Sequence, residues 1–310
     1  DYDAVNTWKM PLLKRAAKRF LAMAQDAPRY DAYRDFCHDE AYWLDDYGLF
    51  MSLHEIHRDG CWFSHWPSSF GDRDADTLAM WKQSHWLEIE KWYVLQFFFH
   101  EQMMELRRYV NGIGLQLIGD IPIFVASDSV DTWSNRHLFK TDLHGNFSAV
   151  SGVPPDFFSS TGQLWGNPVY DWEGRRDELY AWWIHRFSRT LQCVDIVRVD
   201  HFRGFDAYWE VPAGSTTAES GGWVDAPGID FFETVRAHLG PIPIIAEDLG
   251  VVTPRVERLR DTNGFPGMKL YQYGFTLDTD LRLNGHEEFL PHNYPYACVA
   301  YTGTHDNDTT

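Results

Sequence analysis

The stretch Asp195-Ile-Val-Arg-Val-Asp-His-Phe-Arg-Gly204 is a short apolar run that carries opposite charges at its far end. Side chains alternate along a β-strand, so Val194, Ile196, Arg198 and Asp200 share one face while Val197 and Val199 point the other way. A guanidinium on a crowded face beside a carboxylate pairs with it and holds it ionised, because a nearby cation lowers a carboxylate's pKa. An ionised, oriented carboxylate at the end of a strand can serve as a nucleophile. The same residues also read as a buried structural ion pair, so the rest of the chain has to decide.

Outward from this strand the texture is that of an α/β protein. Short β-type runs cover Leu115–Val125, Ile196–Asp200, Ile242–Glu247, Met268–Phe275 and Ala297–Thr302, with helical stretches at Arg175–Thr190, Asp230–Leu239 and Pro254–Arg260. Strands alternating with helices imply a parallel sheet, and in such sheets the working residues lie at the C-terminal strand ends, above all in a (β/α)8 barrel. Acids end three of the five runs: Asp200, Glu247 and Asp306. Two carboxylates about 5 to 5.5 Å apart are the arrangement for retaining glycoside chemistry. Taken alone, Glu247 also reads as a charge at a helix N-terminus, and Asp306 as a turn residue beside Asn307 and Asp308. Asp248 follows Glu247, and only one of the two shares the face of Ile245.

Between the first two runs, Gly152-Val-Pro-Pro-Asp-Phe-Phe-Ser-Ser-Thr-Gly-Gln-Leu-Trp-Gly-Asn-Pro168 combines rings, amides and an acid on a segment stiffened by Pro and Gly. It reads as a long loop, within residues 152–171, able to stack sugar rings and hydrogen-bond hydroxyls, and it is too aromatic for disorder. Residues 1–110 read as a helical subdomain. One helix starts near Pro11 and ends before Pro28, a second runs from near Asp39 to Gly60, and a third spans Leu87 to Val110. Between the second and third, Cys61–Pro67 reads as a ring-rich loop.

Composition excludes several classes. With 27 Lys+Arg against 45 Asp+Glu, the 310-residue chain carries a net charge of −18, which repels polyanions and makes nucleic acid and anionic membranes poor partners. No apolar run approaches the roughly 20 residues that span a bilayer. Cys37, Cys61, Cys193 and Cys298 are scattered, with no C-x-x-C, as expected of a cytoplasmic chain with reduced thiols. Aromatics make up 16% of the residues, which suits either a protein that handles sugar rings or simply a Trp-rich core.

The blocks Gly119-Asp-Ile-Pro-Ile-Phe-Val-Ala126, Gly152–Pro168, Arg198–Gly204, Ala246-Glu-Asp-Leu-Gly250 and Thr302-Gly-Thr-His-Asp-Asn-Asp-Thr-Thr310 resemble, in order, the motifs of amylomaltases, the 4-α-glucanotransferases (disproportionating enzymes) of the α-amylase clan. The resemblance covers about residues 40–310. It implies a (β/α)8 TIM barrel of which about five of eight strands are found here, in residues 111–310, so the chain is expected to be part of a longer enzyme, with the missing barrel segments supplied by the parent chain. An isolated chain with open sheet edges is expected to aggregate or to be inactive.

The resemblance further implies that Asp200 is the nucleophile, Glu247 the general acid/base and Asp306 the third carboxylate, gripping donor hydroxyls. Arg198 would orient Asp200, His305 would contact the donor sugar, and Asp156, Phe158, Gln163, Trp165 and Asn167 would belong to the glucan-contacting loop. The implied substrates are maltooligosaccharides and α-1,4-glucans, with no metal and no organic cofactor. An α-glucan hydrolase uses the same carboxylates, and a non-catalytic glucan-binding protein could keep the same fold. A nucleotide-sugar transferase is disfavoured, since no phosphate-cradling Gly-rich loop follows a strand.

Overall fold

The computed structural model describes residues 1–23, 27–57, 60–156, 159–275 and 287–307. The chain divides into two compact units, residues 1–113 with 125–146, and residues 114–124 with 147–307 of the described chain.

The first unit is helical: α1 (Tyr2–Leu21), α2 (Pro28–Asp39), α3 (Ala41–Ile56), α4 (Trp62–His65), α5 (Ser68–Gly71), α6 (Ala75–Ser84), α7 (Trp86–Gly112) and α8 (Val130–Ser134). Its α1 starts nine residues before the expected start at Pro11, with the Asp1 carboxylate accepting from the Ala4 N–H at 3.1 Å. Pro11 is tolerated inside the helix because it is exposed, so water can satisfy the carbonyl that loses its partner. The helix expected from Asp39 to Gly60 ends at Ile56, and a separate α2 precedes it. Cys61–Pro67, read as a loop, contains α4.

Helices α1, α2, α3 and α7 meet around Ala17, Phe20, Tyr33, Phe36, Leu44, Val94 and Phe97. The Lys91 ammonium is nearly fully buried, with Glu55 and Glu88 each at 2.6 Å. Residues 125–146 belong to this unit because their polar groups are satisfied there: Trp62 Nε1–H donates to Ser127 O at 3.0 Å, and Trp133 Nε1–H to Phe70 O at 2.9 Å. Much of the aromatic content is core, with Trp62, Trp133 and Trp183 wholly buried.

The second unit holds β1 (Ile118–Pro122), β2 (Ala149–Val153), β3 (Gln163–Pro168), α9 (Arg176–Cys193), β4 (Ile196–Asp200), β5 (Ala207–Pro212), β6 (Gly222–Asp225), α10 (Ile229–Leu239), β7 (Ile244–Ala246), α11 (Pro254–Thr262), β8 (Gly267–Leu270) and β9 (Cys298–Tyr301). Strands β1, β4 and β7 form a parallel sheet in that order, and β8 pairs with β9, also in parallel. Ala246 N–H donates to Pro266 O at 2.9 Å, which brings the end of β7 alongside the start of β8. Each expected parallel run therefore contains a strand, Ile196–Asp200 with the expected bounds and the other four shorter. The fourth ends at Leu270 and tightens into a 3-10 turn over Tyr271–Phe275.

An antiparallel sheet of order β3-β2-β5-β6 was not expected, and it makes strands of both ends of the segment read as a loop. Rings from α9, α10 and the turn after β4 pack together, Phe205 stacking on Phe231 at 4.8 Å and meeting Trp183 at 5.1 Å. Among the described residues no helix is long and apolar enough to cross a membrane. The four cysteines are unbridged.

Candidate active site

The β1/β4 register sets Asp120 directly opposite Arg198. Arg198 is 8% exposed, and its guanidinium spans two carboxylates, Asp120 Oδ2 at 2.7 Å and Asp200 Oδ1 at 2.9 Å. The expected Arg198–Asp200 pair thus exists and favours the ionised carboxylate, but the net shift of Asp200 is upward. Burial pushes the Asp200 carboxyl above its ordinary value, Arg198 opposes this, and the charges of Asp120 and Asp306 add to the upward push. One cation shared by two acids does not outweigh desolvation.

Glu247 follows β7 directly, on the face of Ile245, which packs with Met268, Leu270 and Ile196. Both oxygens of its carboxylate accept backbone N–H groups, Oε2 from His201 at 2.7 Å and Oε1 from Leu249 at 3.0 Å. Burial, opposed by those two bonds and reinforced by the Asp200 charge, lifts its pKa to about 7. The adjacent Asp248 turns away into a structural role. Its side chain is 4% exposed, pairs with Arg260 at 2.5 Å and accepts from Met268 N–H at 2.8 Å.

The strand-end loops are tied together. Phe202 N–H donates to Glu247 O at 3.1 Å, and Arg203 reaches Val251 O at 2.6 Å. His201, between Asp200 and Phe202, takes the left-handed conformation with φ of 50°, which turns its N–H toward Glu247.

Asp306 lies in a turn after β9, where Thr304 N–H donates to Asn307 Oδ1 at 3.0 Å. It is therefore a turn residue, as its local sequence allowed, yet its charge is felt at Asp200. His305 Nε2 stands 3.5 Å from the Asp306 carboxylate, and both side chains are exposed.

Of the glucan-loop residues, Gln163, Trp165 and Asn167 fall on β3. Val150 pairs with Pro168 and Gly152 with Leu164, so Ser151 faces the three residues Trp165, Gly166 and Asn167, with Gly166 at φ of 76°. Such a bulge re-aims a side chain, and the Trp165 ring lies 4.7 Å from the His201 ring, nearly perpendicular to it at 86°. Trp165 Nε1–H donates to Gln163 Oε1 at 3.2 Å. Asp156 is engaged locally, its carboxylate accepting from Ser159 N–H at 2.7 Å. Phe158 lies outside the described residues.

The structure thus brings Asp200, Arg198, Glu247 and Asp306 into one electrostatic group, with Trp165 joined to it through His201. It adds Asp120 and His201, to which sequence reading gave no role. Asp120 had a usable signal, an acid placed inside an apolar strand. Among the described residues, no group of three or more His, Cys, Asp or Glu side chains is placed to hold a metal ion.

The chain is similar to known proteins over its whole length. The chain is 45% identical over its whole length to a 4-alpha-glucanotransferase from Synechocystis, covering 60% of that protein. It is 44% identical to one from Thermus thermophilus, covering 61%. An amylomaltase from Streptococcus agalactiae, solved in complex with acarbose, superposes with a TM-score of 0.91 at 39% identity, over 99% of this chain and 60% of that one. The chain therefore spans about three fifths of the length of these relatives. The family profile for 4-alpha-glucanotransferases of glycoside hydrolase type 77 matches residues 1–310, and the chain belongs to that family.

Proposed function

We propose that the protein carrying this chain is a retaining 4-α-glucanotransferase, and that the parallel strands are an arc of a (β/α)8 barrel with the site at their C-terminal ends. The observation that carries the reading is the pairing of two unlike carboxylates. Glu247 is buried, held by two backbone N–H groups and lifted to about 7, while Asp200 faces it from the next strand under the Arg198 guanidinium. Carboxylates whose environments give them different proton affinities can divide the roles of acid and nucleophile.

In the first half-reaction, protonated Glu247 gives its proton to the glycosidic oxygen as an Asp200 oxygen bonds to the anomeric carbon. The C–O bond to the leaving glucan breaks, and a β-glucosyl ester of Asp200 forms. In the second, ionised Glu247 takes the proton of an acceptor 4-hydroxyl, whose oxygen displaces Asp200. The inversions cancel and the α-linkage is remade. Arg198 orients Asp200, and Asp306 with His305 binds donor hydroxyls. Gln163, Trp165 and Asn167, with Asp156 and Phe158, supply glucan contacts, and acceptor binding there lets a sugar hydroxyl outcompete water. A cytoplasmic location suits the unbridged cysteines.

Incubating the full-length protein with maltotriose tests this reading. Transfer yields glucose and longer maltooligosaccharides at a constant number of reducing ends. A reducing-end count that rises in step with turnover identifies a hydrolase instead. Loss of both products in Asp200→Asn is expected, and retained activity would remove Asp200 as nucleophile.

A further inference from the structure

We infer that His201 is a positioning residue whose imidazole seats the Trp165 indole while its own backbone N–H holds the Glu247 carboxylate, so that one residue ties the aromatic ring to the acid/base. This rests on the proposed roles of Glu247 and Trp165.

Three observations converge on it. The first is backbone geometry. His201 has φ of 50° and ψ of 48°, a conformation that glycine adopts freely and a histidine adopts only against steric cost. Glycine would keep the 2.7 Å bond from the residue 201 N–H to Glu247 without that cost, so the ring is what a histidine adds at this position.

The second is the ring's surroundings. His201 Nε2 is buried with no hydrogen-bond partner among the described residues. The indole of Trp165 stands 4.7 Å away at 86°. Burial, with the Arg203 charge second, pushes the imidazole down to about 3. The ring is therefore neutral at working pH, and its contact with Trp165 is one of packing and ring polarity, separate from the charge balance of the carboxylates.

The third is where Trp165 sits. It projects from the bulge of β3, its Nε1–H is tied to Gln163, and it remains 37% exposed. A side chain on a bulge needs a fixed neighbour if it is to present a defined surface, and His201 is that neighbour. Glu247 exchanges protons with the leaving and the incoming glucan, and the Trp165 ring is linked to it through His201, so the ring is assigned to the acceptor side. Holding that ring favours an acceptor sugar over water in the second half-reaction.

The test uses the full-length protein with His201→Gly, which retains the N–H and suits the backbone, and His201→Asn, whose side chain tolerates the left-handed conformation. Both are expected to keep the alkaline limb of the kcat/KM profile, because Glu247 is still held. Both are expected to raise the acceptor KM and the fraction of turnovers ending on water by up to about tenfold, the reach of one aromatic contact. Labelling with 5-fluorotryptophan, the Trp165 resonance being identified by its loss in Trp165→Phe, is expected to show that resonance displaced in both variants.

Wild-type acceptor KM, hydrolysis fraction and Trp165 resonance in either variant would overturn the inference. If the unmutated protein neither transfers nor hydrolyses, the proposed function fails, and the fluorine resonance alone decides the seating of Trp165. An unmoved resonance then refutes it and a displaced one supports it.

Discussion

Replacing Glu247 with Gln should stabilise the protein, and only above a definable pH. In the folded chain this carboxyl titrates at about 7 against 4.5 when unperturbed. A carboxyl whose folded pKa is raised binds its proton more tightly in the native state. Stability is therefore undiminished below the unfolded value, falls as pH rises between 4.5 and about 7, and stays lower above that. At about 1.4 kcal/mol per pH unit, the ionised group costs on the order of 3 kcal/mol at pH 8. Burial at 9% exposure means that solvent screens little of this. Glutamine has no charge to bury and can still accept from His201. Its amide group faces a second N–H donor at Leu249, which takes back about 1 kcal/mol. The net expectation is that the melting temperature of Glu247→Gln matches or falls slightly below that of the unmutated protein near pH 4.5 and exceeds it by about 2 to 3 °C at pH 8. The assay is the difference in Tm between the two proteins across that range, with transfer activity lost in the variant. A Tm difference that does not change with pH would show that Glu247 does not titrate in this window, and the acid/base assignment would lose its electrostatic basis.

The same charge arrangement and packing set other expected outcomes. Asp120→Asn removes a charge that raises Asp200, so the acidic limb of the kcat/KM profile should move to lower pH while the alkaline limb stays; an unmoved acidic limb would dissociate it from Asp200. Asp248→Ala breaks a buried pair with Arg260 and should cost about 3 kcal/mol in stability, read by chemical denaturation, while the pH optimum of the remaining activity is unchanged. Lys91→Ala removes the buried ammonium from Glu55 and Glu88, and because Glu55 keeps Lys14 and Glu88 reaches solvent it should destabilise by about 1 to 3 kcal/mol by the same measurement. Pro11→Ala in the exposed face of α1 should raise stability by about 1 to 3 kcal/mol.

The parallel strands were legible because each is a short apolar run between helical patterns, and the acids that end them stand out against that background. The antiparallel sheet was not, because its signals are those of a loop. Pro154, Pro155, Gly162 and Gly166 punctuate the segment, and β2 finds its partner β5 only across residues distant in sequence. Nothing local announces such a pairing. Gln163 and Trp165 were picked for their chemistry, while the bulge that aims Trp165 depends on register. Asp200 was placed beside Arg198 by strand alternation alone, but the sign of its pKa shift depends on burial and on Asp120 across the sheet. Alternation within one strand reports neither. His201 hid behind its neighbour, since a histidine after an acid has no pattern of its own, and its role rests on a backbone angle.

The arrangement of charge also accounts for how one residue can act as acid and then as base. Asp120, Asp200 and Glu247 all bear on the single guanidinium of Arg198. Glu247 is the most buried of the three, and burial raises its affinity for a proton. The charge of Asp200 is among the causes of its raised affinity. Under the proposed mechanism, formation of the glucosyl ester neutralises Asp200. That removes one upward push on Glu247 while the two backbone donors and Arg198 continue to favour its ionised form. Glu247 therefore holds its proton most firmly before the donor bond breaks, when an acid is needed, and becomes easier to ionise once the intermediate exists, when a base is needed. Cleavage of the ester restores the Asp200 charge and with it the proton affinity of Glu247. The timing requires no movement of the loop that follows β7, which suits a loop tied to the end of β4 by three hydrogen bonds, from His201, Phe202 and Arg203.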